Sequence, residues 1–316
     1  MNTKTKKILK IILPLLFGGG LVWYLFTVIP PKTLLEYFKN ANYWWIALGL
    51  FFGILSHFSR AYRWKFMLEP MGYKPRFTNS VLAVLIGYFV NLAIPRAGEV
   101  SRATVMANYE NIPFEKGFGT IVAERIADLI MMFLIIGITL LIQFDFILQL
   151  VKENFDPVKI SILLGGVLIG GFLFYIYIRK STSGIGVKIK NFIKSLVEGV
   201  TSIFRMKNKW AFLFHTVFIW VMYILMFWAT IPAIDGLDVP VGGILVGFIA
   251  GGFSIAATNG GVGLYPLAVA GAFTLFGVAE EPSTAFGSVM WAAQTAMVIV
   301  FGGLSFILLP IYNKAK

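Results

Sequence analysis

The sequence predicts an all-α polytopic membrane protein of six full spans plus two re-entrant helical hairpins, arranged as an inverted repeat. Three observations carry this expectation. Of 316 residues, 58% are hydrophobic and only 13% are charged, against roughly 45–50% and 25% in soluble domains. Apolar runs of about 20 residues, the length that crosses a bilayer as a helix, recur from end to end, and mean hydropathy is +0.80. The 27 basic residues gather almost entirely on one side of those runs.

In chain order, full spans are expected at 11-29, 43-59, 118-142, 158-178, 210-231 and 284-310. The first follows Lys4, Lys6, Lys7 and Lys10, as a secretory signal would. Its apolar run is too long for a signal, however, and no small-residue cleavage site follows between Trp23 and Pro31, so an uncleaved anchor is expected. With the N-terminus cytoplasmic, 22 basic residues fall inside: the tail, 60-76, 96-116, 179-209 and the C-terminus. Lys32, Lys39, Lys152 and Lys159 fall outside, and Arg125 opens a span. This asymmetry follows the positive-inside rule, so the net charge of +12 needs no nucleic acid to explain it.

The loops 143-157 and 232-240, with Asp145, Glu153, Asp156, Asp235 and Asp238, are expected outside. For 118-142 to run from inside to outside, 79-117 must enter from the cytoplasm and return to it. By the same logic 241-278 enters and leaves from outside. Both stretches read as re-entrant hairpins broken at the tip by Pro or Gly, and eight ordinary spans are the alternative. The single integral membrane domain, 1-316, then divides into halves 11-142 and 158-310, each span, span, hairpin, span, the second inverted. Leu85-Ile86-Gly87-Tyr88-Phe89 echoes Leu245-Val246-Gly247-Phe248-Ile249. Inverted repeats of this kind put a transported substrate where discontinuous helices meet near mid-membrane.

Several chemistries are excluded. There are no cysteines and only two histidines, His57 and His215, which removes thiolate and histidine metal sites. No phosphate-binding G-x-x-x-x-G-K run, zinc-protease motif or nucleophile elbow is present. Neither enzymatic activity nor a cofactor is expected.

The hairpin tips are the first places to look for function, because non-helical backbone at membrane depth must line protein or a wet cavity. The first reads Pro95-Arg96-Ala97-Gly98-Glu99-Val100-Ser101-Arg102. Its arginines suit a phosphate-bearing head group, and a cytoplasmic turn that simply meets water is equally compatible. Glu124, Arg125 and Asp128 stand about 10 to 15 Å along the next helix, a depth where charge is costly and faces a cavity or a partner. A structural ion pair to Arg96 or Arg102, or proton coupling through Glu99, Glu124 or Asp128, would also account for them. His57, Arg60, Arg63, Trp64 and Lys65 form a basic aromatic belt at the cytoplasmic interface, for lipid anchoring or for admitting a head group. At the second tip Thr258 and Asn259 can contact ligand, and Gly260, Gly261 and Gly263 permit a sharp turn with exposed amides. Gly49 and Gly53, Gly166 and Gly170, and Gly243, Gly247 and Gly251 have the spacing of helix contacts.

Arg60-Ala61-Tyr62-Arg63-Trp64, Pro95-Arg96-Ala97-Gly98-Glu99 with Arg102, Glu124-Arg125 with Asp128, and Gly260-Gly261-Val262-Gly263 together resemble the flippase-like integral membrane family that includes the transmembrane region of lysylphosphatidylglycerol synthases. The resemblance covers most of the chain. At the second tip Asn259 replaces the family's Pro, and Pro266 stands where its Glu would align. The resemblance implies a lipid translocase moving an anionic or aminoacylated phospholipid, or a polyprenyl-linked lipid, between leaflets of the bacterial cytoplasmic membrane. Arg96, Arg102 and Arg125 would hold phosphate, Glu99 and Asp128 would orient them or meet a cationic group, and the Gly260-Gly261 apex would flex. With six residues after Pro310, the chain is expected to stand alone as a translocase, its partners membrane lipids and a separate lipid-modifying enzyme. A secondary transporter of a small soluble anion and a non-transporting scaffold for an envelope enzyme are the competing readings.

Overall fold

A computed structural model of the chain describes residues 18–154, 157–181, 184, 186–187, 189–190, 206–258 and 260–314. Every regular element among them is helical. The first seven residues of the expected span 11-29 lie outside the described residues, and the rest is α1, Gly18–Val28. Proline at the first turn opens α2, Pro31–Asn40. Asn42 caps α3, Tyr43–Leu68, its side chain accepting a hydrogen bond from the Trp44 amide at 3.1 Å. A 3₁₀ turn, Glu69–Met71, ends at Gly72 with φ +87°. Next come α4, Phe77–Ala93, and α5, Gly98–Glu110, then α6, Phe114–Ile142, α7, Phe144–Asn154, and α8, Pro157–Lys180. From 206 onward the chain forms α9, Lys209–Thr230, α10, Val241–Ala257, α11, Leu264–Thr274, and α12, Glu280–Lys314.

Among the described residues, three stretches are long and apolar enough to cross a membrane: Phe114–Ile142, Lys209–Ala233 and Glu280–Lys314. Two sequence expectations change. The second span does not end at 59, because α3 runs on to Leu68 and carries Arg60, Arg63 and Lys65 as helical residues. Hydropathy falls there, but a helix needs apolar residues only where its side chains face lipid. The loop 143-157 is mostly helix α7, since Phe144, Ile147, Leu148 and Val151 recur at helical spacing.

Contacts divide the chain into two compact units, Met1–Val122 with Trp210–Lys316, and Ala123–Lys209. The larger unit has two apolar cores. Phe227, Tyr265, Phe273 and Phe286 centre one, built from α9, α10, α11 and the first half of α12. The Phe227 and Phe286 rings meet edge to face at 5.2 Å, and Phe273 stacks on Phe286 at 5.4 Å. Trp64, Leu82, Ile86, Met106 and Leu309 belong to the other, built from the end of α3, α4, α5 and the end of α12. Each core thus encloses one helical hairpin, α10–α11 or α4–α5, while α3 and α12 contribute to both. In the smaller unit Phe133, Leu141 and Phe172 are exposed, as lipid-facing side chains are.

Small residues permit the close approaches. A Cβ on Gly53 would stand 2.8 Å from the Met226 sulfur, and one on Gly251 would stand 2.7 Å from the Tyr265 ring. Gly166 and Gly170, by contrast, meet nothing within 4 Å. At the first hairpin, Gly98 N–H donates to Asn91 Oδ1 at 2.7 Å, and a Cβ on Gly98 would collide with the Gly87 carbonyl and with the Asn91 amide at 2.6 Å. Backbone cannot yield there as a flexible side chain would. Gly98→Ala is expected to part α4 from α5 at a cost of about 1–3 kcal/mol, read as a lower unfolding midpoint in detergent, whereas Gly166→Ala is expected to leave that midpoint unchanged.

Candidate functional site

The second half of α3 is buried almost all round: Ser56, His57, Ser59, Arg60, Ala61, Arg63 and Trp64 are all inside. Of the residues expected as a basic aromatic belt, His57, Arg60, Arg63 and Trp64 are buried and Lys65 is partly exposed. Arg60 is 2% exposed, Arg63 0%, and Arg102, arriving on α5, 4%. A guanidinium keeps its charge under these conditions, so its surroundings must supply what water would.

Hydroxyls and aromatic faces do so. Arg63 donates to Thr216 Oγ1 at 2.9 Å and lies over the Phe212 ring at 5.3 Å. Arg60 donates to the Tyr223 hydroxyl at 3.3 Å, which shares a 3.1 Å hydrogen bond with the Tyr88 hydroxyl. The Tyr88 ring packs on His57 at 4.4 Å, and His57 is itself buried. Arg102 lies 3.9 Å over the face of Trp64, and the Trp64 indole donates to Thr120 Oγ1 at 2.8 Å. One polar seam thus joins α3, α4, α5, α9 and the first turns of α6.

The two hairpin tips lie between α4 and α5 and between α10 and α11. The first, between Ala93 and Gly98, exposes Pro95 and Arg96, the latter at φ +63°. Glu99 is half-buried in the first turn of α5, where a carboxylate suits the helix dipole. The second tip holds Gly260, Gly261 and Gly263 at φ +69°, +81° and +70°, a conformation open to glycine without strain. Thr258 donates to the Ser254 carbonyl at 2.8 Å, and Asn259 lies outside the described residues. Trp291 Nε1 donates to the Gly260 carbonyl at 2.8 Å, so the apex is tied to α12. The tips approach each other: a Cβ on Gly260 would stand 3.6 Å from Leu92.

In the smaller unit Glu124 and Asp128 are buried one turn apart on α6. The exposed Arg125 reaches both, at 3.5 Å from Glu124 Oε1 and 3.7 Å from Asp128 Oδ2.

Sequence reasoning passed over Tyr88, Thr216 and Tyr223, single polar residues inside apolar runs. It also passed over a second network, in which Glu110 accepts from Arg76 Nε at 2.8 Å and from Asn79, while Asn313 donates to Asn79 Oδ1 at 3.0 Å. Arg76 also bonds Asn313 and lies 5.3 Å over Tyr312, so the base of the first hairpin is fixed to the end of α12.

Residues 11–303 match the family described as the lysylphosphatidylglycerol synthase TM region. The chain is 32% identical over 127 residues to a UPF0104 membrane protein of Methanocaldococcus jannaschii, covering 39% of this chain and 37% of that protein. It is 28% identical over 113 residues to the glycosyltransferase AglD of Haloferax volcanii, covering 35% of this chain and 18% of that protein. The matched stretches thus span less than two-fifths of either relative. No solved structure matches the chain.

The hydroxyl pair makes the seam testable as a unit. Tyr88→Phe and Tyr223→Phe are expected to be non-additive in a double-mutant stability cycle, with a coupling of about 0.5–3 kcal/mol, because either change alone already breaks the hydrogen bond between the two hydroxyls.

Proposed function

From a chain that belongs to the lysylphosphatidylglycerol synthase transmembrane region family, we propose a lipid translocase that carries an anionic head group between leaflets while the tails stay in the bilayer. The observation that carries this reading is the burial of Arg60, Arg63 and Arg102 in one seam that takes in the first hairpin through Tyr88 and Arg102. Cations at membrane depth are costly and are kept where a substrate needs them. Arg60 and Arg63 have hydroxyl oxygens among their partners. A phosphate oxygen is the stronger acceptor, since charge-assisted bonds are roughly twice as strong as neutral ones. The head group would meet Arg96 at the exposed tip and pass to the buried guanidinium groups. Glu99 would orient an arginine or receive a cationic substituent, as Asp128 would with Arg125.

The re-entrant reading of both hairpins has support in their dimensions. Helices α4, α5, α10 and α11 have 17, 13, 17 and 11 residues, or about 25, 20, 25 and 17 Å, each short of the hydrocarbon thickness of about 30 Å. Helix α5 also carries Glu99, Arg102 and Glu110. Each hairpin has its own apolar core, which fits an inverted repeat. We place both termini in the cytoplasm of a bacterial cell, on the distribution of basic residues. The names of the matching family and of one relative include a lipid synthase region and a glycosyltransferase; a separate lipid-modifying enzyme is the proposed partner and this chain the non-enzymatic carrier.

Leaflet exchange in proteoliposomes tests the function. Fluorescent phosphatidylglycerol is expected to exchange faster than phosphatidylcholine, and Arg102→Ala is expected to slow it by about tenfold, the effect of one lost charge-assisted contact. No exchange of any lipid, together with uptake of a soluble anion, would favour the secondary transporter; neither activity would favour the scaffold. Because the chain has no cysteines, Arg96→Cys reports the architecture directly. An impermeant maleimide applied from outside the cell is expected to leave it unlabelled, whereas labelling from that side would favour eight spans.

A further inference from the structure

The chain has two histidines, and their surroundings differ. His215 is half-buried on α9, and its Nδ1 shares a 2.8 Å hydrogen bond with Ser59 Oγ. His57, in the middle of α3, is 4% exposed, yet among the described residues its Nδ1 has no hydrogen-bond partner. A buried polar atom without a partner costs free energy, so it calls for a role that repays the cost. The setting of His57 is the polar seam. The Tyr88 ring of α4 packs on the imidazole at 4.4 Å, and the Tyr223 ring of α9 meets it edge-on at 6.5 Å. Arg60 follows one helical turn later on α3. These three are the titratable or charged groups that face it. Trp220, also buried, meets the same Tyr223 ring at 6.1 Å, and among the described residues its Nε1 is again without a partner. Two unmatched nitrogen atoms thus belong to rings packed on Tyr223, whose hydroxyl is already bonded to Arg60 and Tyr88.

We infer that His57 is a proton-binding site coupled to the passage of the anionic head group. The imidazole takes a proton from the aqueous side as the anion enters the seam, and returns it as the anion leaves. Arg60, Arg63 and Arg102 keep their charge at any physiological pH, so they cannot loosen their hold between loading and release. An imidazole can, since its charge changes in that range. A neutral ring offers one donor and one acceptor, whereas an imidazolium donates from both nitrogens. Whichever tautomer precedes it, Nδ1–H then gives an anionic oxygen a charge-assisted bond. The coupling follows from the charges. An imidazolium one turn from Arg60 is repelled by it, and a bound anion offsets that repulsion, so the proton and the anion each strengthen the binding of the other. One proton accompanying one negative charge moves no net charge, so the transmembrane potential neither drives nor opposes the step.

The inference rests on the translocase reading for the identity of the anion, and two measurements separate them. The first uses the full chain, with nitrogen-15 in its histidines, in nanodiscs at pH 7. Replacing phosphatidylcholine by phosphatidylglycerol is expected to convert His57 to the doubly protonated ring. His215 serves as the internal reference, and His215→Gln assigns the signals. A His57 ring that keeps one protonation state from pH 5 to 8 in both lipids would overturn the inference, whether or not the chain exchanges lipid. The second is leaflet exchange of fluorescent phosphatidylglycerol in proteoliposomes. On the alkaline side of the His57 titration, exchange is expected to fall by up to about tenfold per pH unit, the limit for one proton. An imposed pH gradient is expected to enrich the lipid in the leaflet facing the alkaline compartment, beyond the level in protein-free vesicles. His57→Gln, neutral at every pH, is expected to slow exchange and flatten the profile. The same pH profile in wild type and His57→Gln, or no enrichment by the gradient in the wild type, would sink the proton site and leave the translocase standing. Protonation of His57 by phosphatidylglycerol without exchange at any pH would sink the translocase alone.

Discussion

A guanidinium buried inside a protein has no bulk water to lean on, so its hydrogen bonds must come from neighbouring groups. Three such groups decide which helices of the larger unit meet. Arg63 draws α9 to α3 through Thr216 and Phe212. Arg60 reaches α9 through Tyr223, and the Tyr88 hydroxyl brings in α4. Arg102 holds α5 on α3 by lying over Trp64, whose indole is occupied in turn by Thr120 at the start of α6. The apolar cores could be repacked with other side chains of similar volume. The polar seam is less forgiving, since removal of one partner leaves a buried donor unsatisfied.

Much of the fold was legible because hydropathy is a local sum. The expected span 210-231 falls on Lys209–Thr230, and 118-142 falls within Phe114–Ile142. The tips were legible for a related reason: Pro95 and the glycines from 260 to 263 break a helix through their own backbone chemistry. What failed was the use of hydropathy to mark helix ends. Charge begins at Arg60, yet α3 continues because Arg60 and Arg63 find partners 163 and 153 residues away. No local window contains that information. The case of α7 differs, since its apolar spacing was present in the sequence and the acidic residues around it drew attention to sidedness instead.

The candidate site divides along the same line. Arg96, Glu99 and Arg102 lie within seven residues and read as one cluster. The break after Ala93 turns Arg96 outward at positive φ, whereas α5 carries Arg102 inward onto Trp64. Tyr88 and Tyr223 could not be singled out by any motif, because a lone tyrosine in an apolar run is usually an interfacial or packing residue. Their role depends on a 3.1 Å approach across 135 residues of chain.

Helix α3 bears on why a lipid, rather than a small ion, suits this architecture. Successive residues turn by about 100°, so Arg60 and Arg63 are buried while Phe58 and Tyr62 stand exposed. Within two turns one rigid element offers buried cationic donors and exposed aromatic side chains. A soluble anion uses only the first of these surfaces and gains nothing from the second. An amphiphile needs both, at a separation no greater than the link between its phosphate and its chains, because its head group can leave water only as fast as its tail remains in hydrocarbon. On the proposed reading the stretch from Leu55 to Trp64 is where these two requirements meet, and the tight helix contacts at Gly53, Gly87 and Gly98 keep it rigid enough to serve both.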